Sequence, residues 1–112
     1  MEQRFREIAA RRGVELTIER YAQLDATPMA ENLREALRRG VARTGANVEA
    51  RMLPSGAGHD AMTMARAFPS AMLFVRNEKG ISHSPLEAMT EEDAGIAIKA
   101  MLETVLDLAA KG

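Results

Sequence analysis

The sequence predicts an α/β fold, in which amphipathic helices alternate with short strands. Apolar residues recur at helical spacing in four stretches, and stretches with the pattern of a strand lie between them. The stretch SAMLFV, residues 70–75, is apolar throughout, as expected of a strand covered on both faces in a parallel sheet. The predicted element order is therefore α-β-α-β-α-β-α.

The first predicted pair is a helix over residues 2–12 and a strand over residues 14–20. The helical spacing of apolar residues stops at Gly13, a residue that commonly ends helices. In VELTIER, which follows, apolar and polar residues alternate with a period of two. This strand is expected to have one face in water.

The second predicted helix begins with Thr27 as its N-cap and Pro28 at its first position, and it runs to about Thr44. Its apolar stripe consists of Met29, Leu33, Ala36, Leu37 and Val41. Alternating apolar residues then predict a short strand over residues 48–52, which ends before a proline.

A third helix is predicted over residues 59–68, followed by the buried strand and by a long loop over residues 76–89. Thr90 and Asp93 form a capping box, which predicts the start of the last helix. The expected apolar face of that helix consists of Ile96, Ala97, Ala100, Met101, Val105 and Leu108.

Composition limits the function. The 112 residues suffice for a single core, and 15 basic against 16 acidic side chains leave no net field to attract nucleic acid or an acidic membrane. The absence of cysteine excludes disulfides and thiolate metal sites and fits a reducing compartment. Because the N-terminus lacks an apolar signal core, we interpret the protein as cytoplasmic.

The stretch PSGAGHDA, residues 54–61, is the first candidate site. A small-residue turn before a helix presents backbone N–H groups to which a carboxylate or phosphate can bind. The alternative is a tight connection in which His59 or Asp60 caps the helix. The pattern is neither a P-loop nor a nucleophile elbow.

The stretch GISHSPLE contains the second candidate, His83. This histidine follows the predicted buried strand on the side where open α/β sheets bind ligands. A neutral imidazole there can bind zinc, and Ser82, Ser84 or Glu87 can orient its second nitrogen. The alternative is a loop histidine that is hydrogen-bonded to the backbone.

Together the two motifs resemble the C-terminal part of the zinc-dependent amidohydrolases that include N-carbamoyl-L-amino-acid hydrolases and allantoate amidohydrolases. LPSGAGHDA leads through a proline-containing link into an apolar strand, and GISHSPLE precedes a capped helix. The resemblance implies a metallopeptidase-like α/β catalytic domain over residues 22–112. Residues 1–21 are then the last helix and strand of a ferredoxin-like lid domain.

The resemblance also implies roles for residues of both motifs. His83 matches a histidine that ligates one zinc ion, with Ser82, Ser84 and Glu87 around it. Glycine N–H groups of the first motif would help to hold the substrate carboxylate. The implied substrate-binding residues are Ser55, Gly56, Ala57, Gly58, His59 and Asp60.

The other metal ligands of that family and its glutamate general base match no residue of this chain, so we expect no catalytic residue in it. The chain resembles about the last quarter of an enzyme that uses zinc, manganese or cobalt to hydrolyse an N-carbamoyl amino acid or ureido acid. One imidazole cannot chelate a metal, so we expect no tightly bound ion in this chain alone.

The main alternative is a non-catalytic assembly module that forms a homo-oligomer through its lid segment, because an unpartnered strand exposes apolar surface. A nucleic-acid module is a further alternative, which rests on four arginines of the second predicted helix. We interpret these as a solvated helix face: Arg34, Arg38, Arg39 and Arg43.

Overall fold

The computed structural model describes residues 1–21 and 25–110. Within these ranges the protein has four helices and no β-strand. The helices are α1 (Glu2–Arg12), α2 (Glu31–Arg43), α3 (Asp60–Met64) and α4 (Glu91–Ala109).

The predicted α/β architecture is not confirmed. The stretches predicted as strands, residues 14–20, 48–52 and 70–75, have no regular secondary structure. The backbone N–H and C=O groups of a strand need a neighbouring strand as their partner, and the described residues form no such ladder. A pattern of apolar residues predicts which side chains are buried, but it does not show whether a neighbouring strand is present to bond the backbone.

The first helix and the segment after it form a hairpin. Gly13 has a φ of 64° and ends α1, and the N–H of Val14 donates to the carbonyl of Ala9 at 3.1 Å. The guanidinium of Arg20 then donates to the carboxylate of Glu2 at the other end of the helix. This hydrogen bond, with the positive charge of Arg20, holds the pKa of Glu2 below its usual value of 4.5.

The second helix begins at Glu31, three residues later than predicted. The residue before it, Ala30, donates its N–H to the carbonyl of Ser70 at 2.8 Å. The hydroxyl of Thr27 donates to a carbonyl two residues earlier, at 3.4 Å, and caps no helix. The prediction of a start at Pro28 was therefore wrong, because a contact with a distant segment fixes the start.

The core is the contact between α2 and α4. Gly40 lies so close to α4 that an added Cβ would be 2.5 Å from the carbonyl oxygen of Ala100. The hydroxyl of Thr104 donates to that same carbonyl at 2.7 Å, within its own helix. The buried residues of the two helices are Ala36, Leu37, Gly40, Val41, Asp93, Ala100, Thr104 and Asp107.

Charged groups reinforce the contact between the two helices. The carboxylate of Asp107, whose side chain is 5% exposed, bonds the guanidinium groups of Arg39 and Arg43, each at 2.8 Å. Earlier in α4, the ammonium of Lys99 donates to the carbonyl of Thr44, the C-cap of α2, at 2.8 Å. Two of the four arginines of this helix are thus engaged with α4.

The start of α4 confirms Thr90 as the N-cap, although the carboxylate of Asp93 accepts the hydroxyl of Thr90 rather than its backbone N–H. The hydroxyl oxygen of Thr90 accepts the N–H of Asp93 at 3.0 Å. The carboxylate of Asp93 also forms an ion pair with Arg76 at 2.7 Å. The hydrogen bond from Arg76, and then that from Thr90, lower the pKa of Asp93 below its usual value of 3.8.

The predicted apolar face of α4 is only partly buried. Small and polar residues fill the side that contacts α2, so the larger apolar side chains lie outside this contact. Of the predicted face, Ala100 is fully buried, whereas Met101 and Val105 are 44% and 55% exposed. This exposed row, which we call the outer face of α4, consists of Ile98, Met101, Leu102, Val105 and Leu106.

The molecule is elongated. Its radius of gyration is 19.7 Å, whereas a compact domain of this length has about 13 Å. Within residues 1–21 and 25–110, no large side chain is completely buried. No helix of this part of the chain has the length and apolar character that crossing a bilayer requires.

Candidate functional site

The first candidate site is the loop of residues 55–60, which we call the SGAGHD loop. It leads into α3, which is a short helix of five residues rather than the predicted ten. Turns continue the chain after it, and the N–H of Phe68 donates to the carbonyl of Met64 at 2.9 Å. Because α3 is so short, its N-terminus supplies little dipole, and binding here depends on individual groups of the loop.

A hydrogen bond between Ser55 and His59 organises the SGAGHD loop. The Oγ atom of Ser55 lies 2.7 Å from Nε2 of His59. The same oxygen accepts the N–H of Ala57 at 3.2 Å. On another side, the imidazole meets the ring of Phe74 edge-on, with centroids 5.7 Å apart. His59 is therefore held both by a polar and by an aromatic contact.

The capping alternative for this loop is not what the structure shows. His59 occupies the N-cap position of α3, but no side chain caps the helix with a hydrogen bond. The imidazole of His59 instead bonds Ser55, four residues earlier. The ring is thereby directed to the loop rather than to the helix.

The backbone of the loop offers two donors to a ligand. The N–H of Ala57 is taken by Ser55. The N–H groups of Gly56 and Gly58 have no hydrogen-bond partner among residues 1–21 and 25–110. Both glycine N–H groups of the loop can thus bind an anion.

An open cavity of about 240 Å³ lies beside the loop. Gly58, His59 and Asp60 of the loop line it, together with Arg66 and Asp25 from outside the predicted site. The sequence analysis did not single out Arg66, which lies in the turns after α3. It also assigned Phe74 to a strand and not to the surroundings of His59.

His83 lies in an exposed loop with unusual backbone geometry. Its φ is 55°, a left-handed conformation that few residues other than glycine adopt. The backbone N–H of His83 donates to Oε2 of Glu87 at 2.9 Å. Glu87 thus fixes the main chain of His83, whereas the imidazole makes no hydrogen bond within the described part of the chain.

The two serines beside His83 do not contact its ring by a hydrogen bond. The Oγ atom of Ser84 accepts the N–H of Leu86 at 3.2 Å, which stabilises the turn after the histidine. Ser82 forms no hydrogen bond with any other residue that the structure describes. In this structure Ser84 and Glu87 shape the loop, and the ring nitrogens of His83 remain available.

The donor set fits one metal ligand and no more. No three of the His, Asp and Glu residues that the structure describes are grouped so that they could hold an ion. An exposed imidazole without a hydrogen-bond partner can supply one bond to a metal such as zinc. Further ligands would have to come from outside these residues.

Comparison with known proteins identifies the class. Residues 7–107 match the model of peptidase family M20/M25/M40. The chain therefore belongs to this family.

Within the family, the chain is similar to amidohydrolases, which confirms the resemblance seen in the two motifs. It is 37% identical over 102 residues to an N-carbamoyl-L-amino acid amidohydrolase of Geobacillus stearothermophilus and 33% identical over 102 residues to an allantoate amidohydrolase of Bacillus subtilis strain 168. Each match covers 91% of this chain and 24% of the relative.

A shorter stretch of the chain has a higher identity to a plant protein. The chain is 54% identical over 55 residues to an allantoate deiminase of Arabidopsis thaliana, which covers 49% of this chain and 10% of the relative. The chain spans about a quarter of the length of the first two relatives. No solved structure matches the chain.

Proposed function

We propose that this chain is the C-terminal part of a metal-dependent amidase that hydrolyses a carbamoyl, ureido or amide C–N bond of an N-substituted amino acid. The observation that carries the proposal is the similarity to two amidohydrolases over 91% of the chain. The SGAGHD loop, with the unpartnered N–H groups of Gly56 and Gly58 and a cavity beside Gly58, supports it. The chain alone lacks the groups for the reaction and is inactive.

The role of the SGAGHD loop is to hold the substrate. The N–H groups of Gly56 and Gly58 bind the carboxylate of the amino acid, because they have no other partner in the described residues. Arg66 lines the cavity beside Gly58 and adds a positive charge there, next to the carboxylates of Asp25 and Asp60. Ser55, Ala57, His59 and Asp60 complete the loop.

The role of His83 is to supply one imidazole ligand to zinc, manganese or cobalt. Its left-handed backbone and its bond to Glu87 keep the ring at the surface of the loop. When bound, the metal ion supplies Lewis-acid polarisation of the scissile carbonyl. The remaining ligands and the general base come from outside this chain.

Complementation tests this proposal. The purified chain is mixed with the remaining three quarters of the Bacillus subtilis allantoate amidohydrolase and with zinc or manganese, and ureido hydrolysis is assayed. We expect activity in the mixture only, and we expect His83→Ala to abolish it. Ser70→Ala, which removes a serine hydroxyl that bonds the Phe68 carbonyl, is the matched control and should retain activity.

Activity of the chain by itself that His83→Ala abolishes would contradict the proposal that the reaction needs groups from elsewhere. A mixture that remains fully active when it contains the His83→Ala variant would contradict the metal role of His83.

The runner-up is a non-catalytic assembly module, and one observation favours it. In the segment after α1, Val14 and Leu16 are 59% and 38% exposed, and the segment has no strand partner among the described residues. Exposed apolar residues on an unpaired segment promote association with a second copy. The oligomeric state tests this alternative.

A further inference from the structure

The hydrogen bond between Ser55 and His59 can form in two ways. Either the hydroxyl of Ser55 donates to Nε2 of the imidazole, or a protonated Nε2 donates to the hydroxyl oxygen. The two forms differ in which ring nitrogen of neutral His59 carries the proton. They therefore differ in what the ring can offer to a ligand.

The surroundings of the hydroxyl decide between the two forms. The oxygen of Ser55 accepts the N–H of Ala57 at 3.2 Å, which occupies one of its two lone pairs. Two acceptors are within reach, Nε2 of His59 at 2.7 Å and the carbonyl of Ala57 at 3.4 Å. A hydroxyl donates best at about 2.7–2.8 Å and poorly at more than about 3 Å. The distance of 2.7 Å is that of a donating hydroxyl and is shorter than the about 2.9–3.0 Å usual when an N–H donates to oxygen, so the hydroxyl of Ser55 donates to Nε2 of His59.

We infer that Ser55 is a positioning residue that fixes neutral His59 with its proton on Nδ1. Because Nε2 accepts a hydrogen bond from the hydroxyl, it carries no proton itself. Nδ1 must then carry the single proton of the neutral ring. The edge-on contact with Phe74 holds the ring in this position. His59 then offers an N–H donor to an oxygen atom and offers neither ring nitrogen as a base.

This inference deepens the proposed function, on which its meaning for the substrate rests. His59 lines the same cavity as Gly58 and Arg66. A third donor beside two others suits an oxygen-rich group, such as a carboxylate or a ureido carbonyl. In this arrangement His59 orients a substrate oxygen, and it takes no proton from water.

Nitrogen NMR of the whole chain tests the inference without any substrate. Two-bond proton–nitrogen spectra distinguish protonated from unprotonated ring nitrogens, and they are recorded about two pH units above the ordinary histidine pKa of about 6.5. The chain has two histidines, so the variant His83→Ala assigns the signals of His59. We expect protonated Nδ1 and unprotonated Nε2 in the wild type.

Ser55→Ala should shift the proton of His59 to Nε2, the form that free histidine prefers in water. Ser55→Thr keeps a hydroxyl and should restore the Nδ1 form. Ser70 is a loop serine whose hydroxyl donates to the carbonyl of Phe68, and Ser70→Ala should leave the spectrum unchanged.

A wild-type ring with its proton on Nε2, or an unchanged tautomer in folded Ser55→Ala, would overturn the inference. Circular dichroism establishes whether the alanine variant folds, and if it does not, the wild-type spectrum decides. The spectrum is independent of hydrolysis, so failed complementation refutes the proposed function alone, whereas the wrong tautomer refutes only this inference.

Discussion

At the scale of single residues, Gly40 sets how closely the two core helices approach. The position admits no side chain, since a Cβ would meet the backbone carbonyl of Ala100 at 2.5 Å. A backbone atom can move only with its helix, so any larger residue must push α2 and α4 apart. The absence of a side chain is thus a requirement of packing at this position and not of backbone conformation.

Gly40→Ala is therefore expected to lower the free energy of unfolding by about 1–3 kcal/mol, the usual cost of overpacking a tight contact. Urea unfolding followed by circular dichroism measures the loss. The matched control is Gly95→Ala in α4, where a Cβ meets nothing within 4 Å. There alanine should raise stability by up to about 1 kcal/mol, through helix propensity alone. Equal effects of both variants would contradict the close approach.

Asp93 makes the stability depend on pH. Its pKa lies below the usual value of 3.8, because Arg76 and Thr90 stabilise the charged carboxylate in the folded state. A lowered pKa adds stability above the unfolded value, and that stability disappears as the pH falls through the folded value. The helix content is thus expected to decrease on acidification below about pH 5.

Asp93→Asn should reduce this loss of helix content at low pH, in a pH titration followed by circular dichroism. Arg76→Met should reduce it in the same way, since it removes the main cause of the shift. Glu103→Gln changes a carboxylate of the same helix that forms no ion pair within the described ranges, and it serves as the control. If Asp93→Asn leaves the loss of helix content at low pH unchanged, other groups produce that loss.

His83 yields a prediction about metal binding. A single imidazole cannot chelate, so the isolated chain should bind zinc weakly and lose it on dialysis against a chelator. His83→Ala should remove even the weak binding that calorimetry detects, while His59→Ala should not. Stoichiometric zinc that survives dialysis would contradict this expectation.

At the scale of helices and segments, α2 and α4 are joined by charge as well as by packing. Asp107 is almost completely buried and binds both Arg39 and Arg43. This carboxylate is about one turn of α4 beyond Thr104, so the ion pairs add to the packing of the same two helices. A buried acceptor shared by two donors is costly to remove.

Asp107→Asn is expected to cost roughly 1.5–3 kcal/mol of unfolding free energy, the range for hydrogen bonds to charged groups. The exposed pair of Arg38 and Glu35 provides the control. Glu35→Gln should cost no more than about 0.5 kcal/mol, because water and salt screen that pair. Thermal unfolding of the two variants side by side measures the difference. A similar loss of stability in both variants would contradict the role of Asp107.

Local signals in the sequence predicted the helix ends that depend on local contacts. Gly13 and the pair of Thr90 and Asp93 act within one turn, and both predictions were confirmed. The start of α2 was missed because Ala30 bonds Ser70, a residue far along the chain. The predicted strands were not confirmed, because a strand depends on partners that no single stretch contains.

The candidate site was likewise predictable only in part. The residue pattern identified His59 and His83 as residues of interest, and Ser55 was assigned only through the resemblance. Neither the pattern nor the resemblance predicted that Ser55 bonds the ring of His59 rather than leaving it to cap a helix. The sequence also gave no indication that Glu87 bonds the main chain of His83. A glutamate can accept a hydrogen bond from a backbone N–H or from an imidazole N–H, and the sequence does not distinguish the two.

At the scale of the whole molecule, the small core leaves much apolar surface in water. The outer face of α4 and the segment of residues 14–20 are both exposed. Patches of this kind mark surfaces of association. The elongated shape increases this exposure, because few segments cover one another.

The chain is therefore expected to form a homodimer or a larger assembly through the segment of residues 14–20. Light scattering at high protein concentration tests this, and a stable monomer would contradict it. The double variant Val14→Lys and Leu16→Lys should shift the assembly toward monomer. Leu102→Lys places the same charge on the outer face of α4, and a larger effect of this change would locate the interface there instead.

The contact between α2 and α4 also governs how the chain folds. The two helices close a loop that consists of residues 44–90, and this loop contains both the SGAGHD loop and His83. A contact between such distant parts of a chain forms late, because the entropy of loop closure must be overcome first. Both site segments are thus tethered only after the helices have met. Any substitution that speeds separation of the helices loosens the two segments together, although neither the SGAGHD loop nor His83 lies in either helix.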